Sequence, residues 1–269
     1  MSSQIHPTAI VDPSAELGED IHIGPYAIVH ENTRIGSGSR IDAFSQIKPF
    51  TSLGADNHVF SYACLGEIPQ DLKFQGEESW LEIGSRNRIR EYCTLNRGTA
   101  DGGGITRVGS NCLLMAYSHV AHDCRLGDNV IMANCATLAG HVHIGDHAII
   151  GGLSAVHQFV RIGEMAFVGG KTGAAQDVPP YTLVAGERAK LEGLNLVGLR
   201  RHKLPKEEIS ALKKALRIIW HSSLTREEAR EKIAASQEMA ASKCVAQLLK
   251  FLQESTRGTV TPDPGKNDG

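Results

Sequence analysis

Six of the twelve histidines fall between His119 and His157. Imidazole changes charge near neutrality, so it can take up a proton during a reaction or, when neutral, bind a metal ion. Three readings of His122 compete. It could be a solvated ring. It could join His119 and His141 in a zinc site, since imidazole suits that ion. Or it could act as a general base oriented by the adjacent Asp123. Spacing alone leaves all three open. The six cysteines (Cys64, Cys93, Cys112, Cys124, Cys135, Cys244) show neither CxxC spacing nor a nucleophile–base motif. They read as free, buried thiols of a protein in the reducing cytoplasm.

The elements that must carry these rings show a six-residue beat. From Ile5 it passes through Val11, Leu17, Ile23, Val29, Ile35, Ile41, Ile47, Leu53 and Val59 to Leu65, and resumes at Ile83, Ile89 and Leu95. A second run, one residue out of step, extends from Val108 through Val120, Leu126, Met132, Leu138 and Ile144 to Val168. This period fits neither a 3.6-residue helix nor a two-residue strand alternation. It fits short strands joined by tight turns, three to a coil, with aliphatics on the axis and small residues near the corners. Glycine often follows the aliphatic, as at Gly18, Gly24 and Gly36, where it is expected to ease the turns. Such hexapeptide repeats resemble the left-handed parallel β-helix, an all-β prism. On coils of eighteen residues His122 stacks on Gly140, with His141 beside it and His157 near the same edge one coil on. His143 and His147 fall elsewhere on the perimeter.

The β-helix is expected over residues 1–190, with excursions near 67–82 and 99–107. The first, EIPQDLKFQGEESWLE, returns to the beat eighteen residues after Leu65, one coil in length; it reads as a functional loop that bulges outward. The second has no comparable cluster of side chains. A helical domain is expected over 191–257. Ile209, Leu212, Leu216 and Ile219 lie on one helical face, Thr225 and Glu228 form a capping box, and a further helix spans 238–254. The tail, 258–269, reads as disordered. A net charge of −2 gives no electrostatic grip on nucleic acid or anionic membrane. The start of the chain lacks signal-peptide character, and no apolar run approaches the roughly 20 residues of a transmembrane segment.

Several motifs carry a closer resemblance: IPQDLKF at 68–74, IRE at 89–91, RGT at 97–99, AHDC at 121–124, LAGHV at 138–142, VHQF at 156–159 and AQDVPPY at 175–181. From about Ile5 to Gly258 the chain resembles the UDP-N-acetylglucosamine 3-O-acyltransferase family of lipid A synthesis. The resemblance implies transfer of a 3-hydroxyacyl chain from acyl carrier protein to the sugar 3-hydroxyl. It implies no metal and no cofactor beyond the carrier's phosphopantetheine, and a homotrimer with sites between subunits. His122 matches the family's general base and Gly140 its oxyanion donor, and Asp123 or another group is expected to orient the imidazole. Gln70, Asp71 and Lys73 match residues near the substrate, with Lys73 suited to a phosphate and Asp71 to a hydroxyl. His141, His157 and Gln158 match residues that position the sugar nucleotide or acyl donor. Asn195 and Arg201 match nucleotide- or phosphate-binding positions. Gly152 and Gly170 lie where the family seats its acyl chain, and Gly170 is expected to leave room for a long one. Arg161, Lys171, Arg188 and Lys190 could receive an acidic carrier protein.

Two residues depart from the pattern: Asn96 stands where relatives often carry histidine, and His202 where some carry arginine. They leave open a 3-amino sugar substrate and an amide product. A zinc-dependent lyase on the same fold is the alternative of another class. The related N-acyltransferase acting later in the pathway carries a domain before its coil, whereas here the beat is already present at Ile5.

Overall fold

The beat closes into a left-handed triangular coil in the computed structural model, which describes residues 3–263. Strands of mostly two residues form three parallel sheets of eleven, nine and eight strands, and successive members of each sheet are three strands apart in the chain. The first sheet begins at Gln4–Ile5, the second at Ile10–Val11 and the third at Glu16–Leu17. Every coil therefore gives one strand to each face. Partners in regular coils are eighteen residues apart, as in Ile5 with Ile23 and Val120 with Leu138. Most of the aliphatics on the beat point to the axis and are buried; Ile23, Ile41, Val59, Leu114, Met132 and Ile150 are fully enclosed. At roughly 1.5–3 kcal/mol for each large aliphatic side chain, this column is the main stabilising term of the prism.

The glycines do not do what their spacing predicts. At most corners the turn residue, third after the axial aliphatic, holds a left-handed φ of 52–68° without being glycine, as at Tyr26, Phe44, Asp123, His141 and Met165 and at Tyr181 where the coil ends; Gly38 is the glycine among them. The residue before a left-handed one is proline at Pro25 and Pro49, as a turn with positive φ at its second position favours. Glycine next to the aliphatic serves instead to let coils approach. A Cβ on Gly36 would lie 2.5 Å from the Gly54 carbonyl carbon, and one on Gly145 would lie 2.6 Å from the Glu164 nitrogen.

The excursions are insertions rather than coils. Ile83 pairs with Leu53, thirty residues earlier instead of eighteen, so twelve residues leave the first coil. Val108 pairs with Ile83, twenty-five residues earlier, so seven leave the next. The eighteen-residue span from Leu65 to Ile83 is thus one six-residue side plus an outward loop. An antiparallel hairpin, Thr182–Ala185 with Lys190–Leu194, ends the first sheet. Five helices follow: α1 (Leu196–Arg201), α2 (Lys206–Trp220), α3 (Arg226–Ala234), α4 (Gln237–Ala241) and α5 (Lys243–Glu254). Their core joins Leu199, Leu212, Ala215, Ile233, Val245 and Leu248 to Tyr181 of the coil. Thr225 and Glu228 form the expected capping box.

The expectation of disorder from residue 258 fails for the first part of the tail. Thr259 bridges Asp177, Val260 is 2% exposed, and the Leu191 N–H donates to the Thr261 carbonyl. Val260 supplies an apolar anchor that the polar composition around it masks. Residues 264–269 of that tail lie outside the described residues. No helix among the described residues is long and apolar enough to cross a membrane. Gly36→Ala is expected to destabilise the protein by about 1–3 kcal/mol in urea denaturation through the coil-to-coil clash; an unchanged midpoint would show that the coils can separate to admit a methyl group.

Candidate active site

Both insertions leave the prism at one edge. The first lies between Cys64–Glu67 of the second sheet and Trp80–Ile83 of the third, and the second between Thr94–Asn96 and Ile105–Val108 of those same sheets. The next coils turn that edge at His122–Asp123, then Gly140–His141, then Gln158–Phe159. Regular coil spacing stacks these residues, and the irregular coils place loops over them.

Asp123 is the buried centre of this edge. Its side chain is 1% exposed, against 13% for His122. Its Oδ2 accepts from His122 Nδ1 at 2.7 Å and from the Thr99 hydroxyl at 2.7 Å, while Oδ1 accepts from the Thr99 N–H at 2.9 Å. The Asp123 N–H donates to Thr106 Oγ1 at 2.7 Å. Burial pushes the carboxyl up, but the hydrogen bonds from His122 and Thr99 outweigh it and hold the group below the usual carboxylate range. An ionised Asp123 accepts, so the His122 proton sits on Nδ1 and leaves the Nε2 lone pair open.

Gly140 lies against that lone pair. A Cβ there would be 2.5 Å from His122 Cε1 and 2.7 Å from Nε2, so only glycine lets the ring rest on the backbone. In the ladder Ala139 N–H donates to Val156 and His141 N–H to His122, and the Gly140 N–H between them has no partner among the described residues. It occupies the repeat position that tolerates proline elsewhere, where the coil does not need the amide. A proton acceptor and an unused N–H donor thus stand side by side.

His141 packs edge-on to His122 at 5.1 Å and stacks on Phe159 at 4.4 Å. Burial lowers its pKa, against the pull of Asp123, which keeps the ring neutral at pH 7. His122, Asp123 and His141 have ligating atoms within 4.8 Å of one another, a set that differs from the expected trio. His119 instead bonds Thr94 at 2.8 Å. The Asp123 oxygens and His122 Nδ1 are engaged with one another and with Thr99.

Asp71 and Lys73 line an open cleft with Thr99 and Asp101, and the Asp71 carboxylate acts electrostatically on His141. Gln70 is exposed on the same insertion. Asn96 is buried, and its amide donates to the Ile68 carbonyl at 3.0 Å, tying down the root of the first insertion. His157 Nδ1 lies 3.1 Å from the Gln158 carbonyl and 3.3 Å from Arg257. These residues share the edge of His122.

Other expected site residues do not. Gly152 and Gly170 turn the edge between the first and second sheets, and a Cβ on Gly170 would approach only the Gly152 carbonyl oxygen, at 3.4 Å. Asn195 and Arg201 lie in the groove between α1 and the first sheet. Asn195 is 6% exposed and spends its amide inside the chain: its oxygen caps α1 at Gly198, and its nitrogen donates to the Met165 carbonyl at 2.9 Å. His202 packs on His147 at 4.6 Å. One chain therefore spreads the expected site over separate parts of the prism.

Thr99 and Thr106 were not legible as partners of the carboxylate. Their contact needs the second insertion to leave the coil and return across one edge, which a motif such as RGT does not reveal.

Residues 177–260 match the family described as Udp N-acetylglucosamine O-acyltransferase, domain 2, and residues 105–140 match the bacterial transferase hexapeptide (six repeats). A relative named acyl-(acyl-carrier-protein)–UDP-N-acetylglucosamine O-acyltransferase from Thermodesulfovibrio yellowstonii is 45% identical over 95% of this chain and 98% of its own length. One of the same name from Syntrophobacter fumaroxidans is 48% identical over 96% and 99%. The crystal structure of UDP-N-acetylglucosamine O-acyltransferase from Moraxella catarrhalis superposes with a TM-score of 0.91 at 43% identity, over 95% of this chain and 99% of that one. Fold, repeat and near-complete likeness agree: the chain belongs to the UDP-N-acetylglucosamine O-acyltransferase family.

Proposed function

We propose that this protein transfers a 3-hydroxyacyl group from acyl carrier protein to the 3-hydroxyl of UDP-N-acetylglucosamine. The observation that carries the reading is the open Nε2 of an Asp123-anchored His122 beside the unused Gly140 N–H. A sugar hydroxyl is a weak nucleophile. His122 Nε2 takes its proton as the oxygen attacks the thioester carbonyl. The tetrahedral oxyanion accepts from the Gly140 N–H, a donor already in place. The intermediate collapses, the carbon–sulfur bond breaks, and the leaving thiolate takes the proton back from His122. Asp123 stays ionised and stabilises the transient imidazolium. No acyl-enzyme is needed, and burial pushes Cys124 up to about 12 and Cys112 to about 11, so both remain protonated thiols.

Around this centre Asp71 and Lys73 reach for a hydroxyl and a phosphate, and His141, His157 and Gln158 orient the two substrates. Arg201 supplies a cation for the nucleotide in the groove it shares with Asn195. A threefold assembly would reunite the dispersed groups. The outward residues of the second-sheet strands, from Ile10 to Gly173, are uncharged except Glu67, which pairs with Lys48. The third sheet by contrast presents Glu16, Arg34, Arg107, Arg125 and Arg161. With second sheets facing a common axis, the His122 edge of one copy meets the Gly152–Gly170 edge of the next. The carrier protein would then be met by the basic residues above the edge, among them Arg161, Lys171, Arg188 and Lys190.

His122→Ala is expected to lower the rate of acyl transfer by about 10²–10⁴-fold while leaving the fold intact; full activity would remove His122 from the mechanism. For the assembly, Gly170→Trp should close the chain groove and abolish activity by itself. Co-expressed with His122→Ala it should restore part of the activity, because some sites then join an intact base to an open groove. Failure of mixed oligomers to gain any activity over either parent would place both residues in one chain's site.

A further inference from the structure

We propose that Thr99, carried by the second insertion, is a positioning residue that fixes the Asp123–His122 pair, with Gly102 closing the loop over the carboxylate. The inference rests on His122 as the base and names what holds that base in place. An ionised carboxylate with 1% exposure must fill its lone pairs from within the protein. Of its three donors among the described residues, two belong to Thr99: the N–H at 2.9 Å and the hydroxyl at 2.7 Å. The third is His122 itself. Without Thr99 the carboxylate would be held from one side only, by the group it is meant to orient.

Thr99 is in turn held by its own loop. It is 4% exposed. Its carbonyl accepts from the N–H groups of Gly102 at 3.1 Å and Gly104 at 2.7 Å. A Cβ on Gly102 would lie 1.9 Å from the Asp123 carboxyl carbon, so bare backbone covers the acid where any side chain would displace it. On its outer side the Ala100 N–H donates to Glu77 at 3.2 Å, a residue of the first insertion. The two loops and the acid–base pair form one connected unit. The insertion without an evident role in the sequence thus supplies most of the orientation of the base.

Two consequences separate positioning from mere structural support. Loss of the hydroxyl misdirects the imidazole and acts on kcat more than on KM, because both Thr99 donors are spent on Asp123. It also leaves the Asp123 charge less shared, so the carboxylate attracts the His122 proton more strongly and the acid limb of kcat/KM moves to higher pH. Thr99→Val is therefore expected to lower kcat by about 10–100-fold with KM within about threefold and with the acid limb displaced upward. Thr99→Ser should recover most of the lost activity and return the limb to its place. Gly102→Ala, which keeps both Thr99 donors but intrudes on the carboxylate, should also lower kcat, with an unchanged melting temperature as the check on folding. Parental kcat and an unmoved limb in Thr99→Val, or Thr99→Ser as impaired as Thr99→Val, would overturn the inference. His122→Ala run alongside separates the two ideas: if it stays active the base assignment fails, and if it is inactive while Thr99→Val is normal only the positioning role fails.

Discussion

The carboxylate of Asp123 is the constraint on which the rest of the site depends. A charge taken out of water is tolerated only when hydrogen bonds replace the solvent it loses, and a partly satisfied one is worse than none. Here the replacement comes from an imidazole on one side and a loop on the other. That single requirement explains why an insertion departs one coil before His122, why it returns over the same edge, and why Gly102 carries no side chain there. It also fixes the chemistry, because an acid held ionised selects the His122 tautomer whose free nitrogen faces outward.

The prism answers a different demand, that of holding atoms of successive coils at a constant offset. Strand spacing places one coil about 4.8 Å from the next, and the axial aliphatics make that spacing uniform over the length of the chain. The catalytic edge uses what the coil leaves over. At each corner one amide takes no part in the ladder, and proline occupies that position where nothing is asked of it. At Gly140 the spare amide stands beside His122, so the oxyanion donor proposed there is an ordinary feature of the repeat that needs no local distortion. The left-handed backbone at Asp123 and His141 is likewise shared by most corners and marks no special strain.

The sequence made much of this legible because the beat has a fixed arithmetic. Eighteen residues per coil places Gly140 over His122 and His141 beside it, and the three positions turn one edge in the structure. The same arithmetic marked the first insertion as an outward loop but could not divide it, since six residues of coil and twelve of loop together imitate one full coil. The glycines were misread because composition cannot distinguish a residue chosen for a left-handed turn from one chosen for close approach. Thr99, Thr106 and the docking of Val260 were hidden for a shared reason: each contact joins segments whose separation depends on an irregular loop or on the end of the coil. Asn195 shows the converse. It occupies a position that resemblance marks as nucleotide-binding, and its amide also bonds the chain's own backbone.

The proposed mechanism requires that His122 hold a proton on Nδ1, bonded to Asp123, and present Nε2 as the base. Side-chain nitrogen-15 NMR of histidine-labelled protein at neutral pH, with His122 assigned by comparison with His122→Ala, reads this directly. The account predicts a protonated Nδ1 and an unprotonated Nε2; a proton found on Nε2 with Nδ1 bare would contradict it.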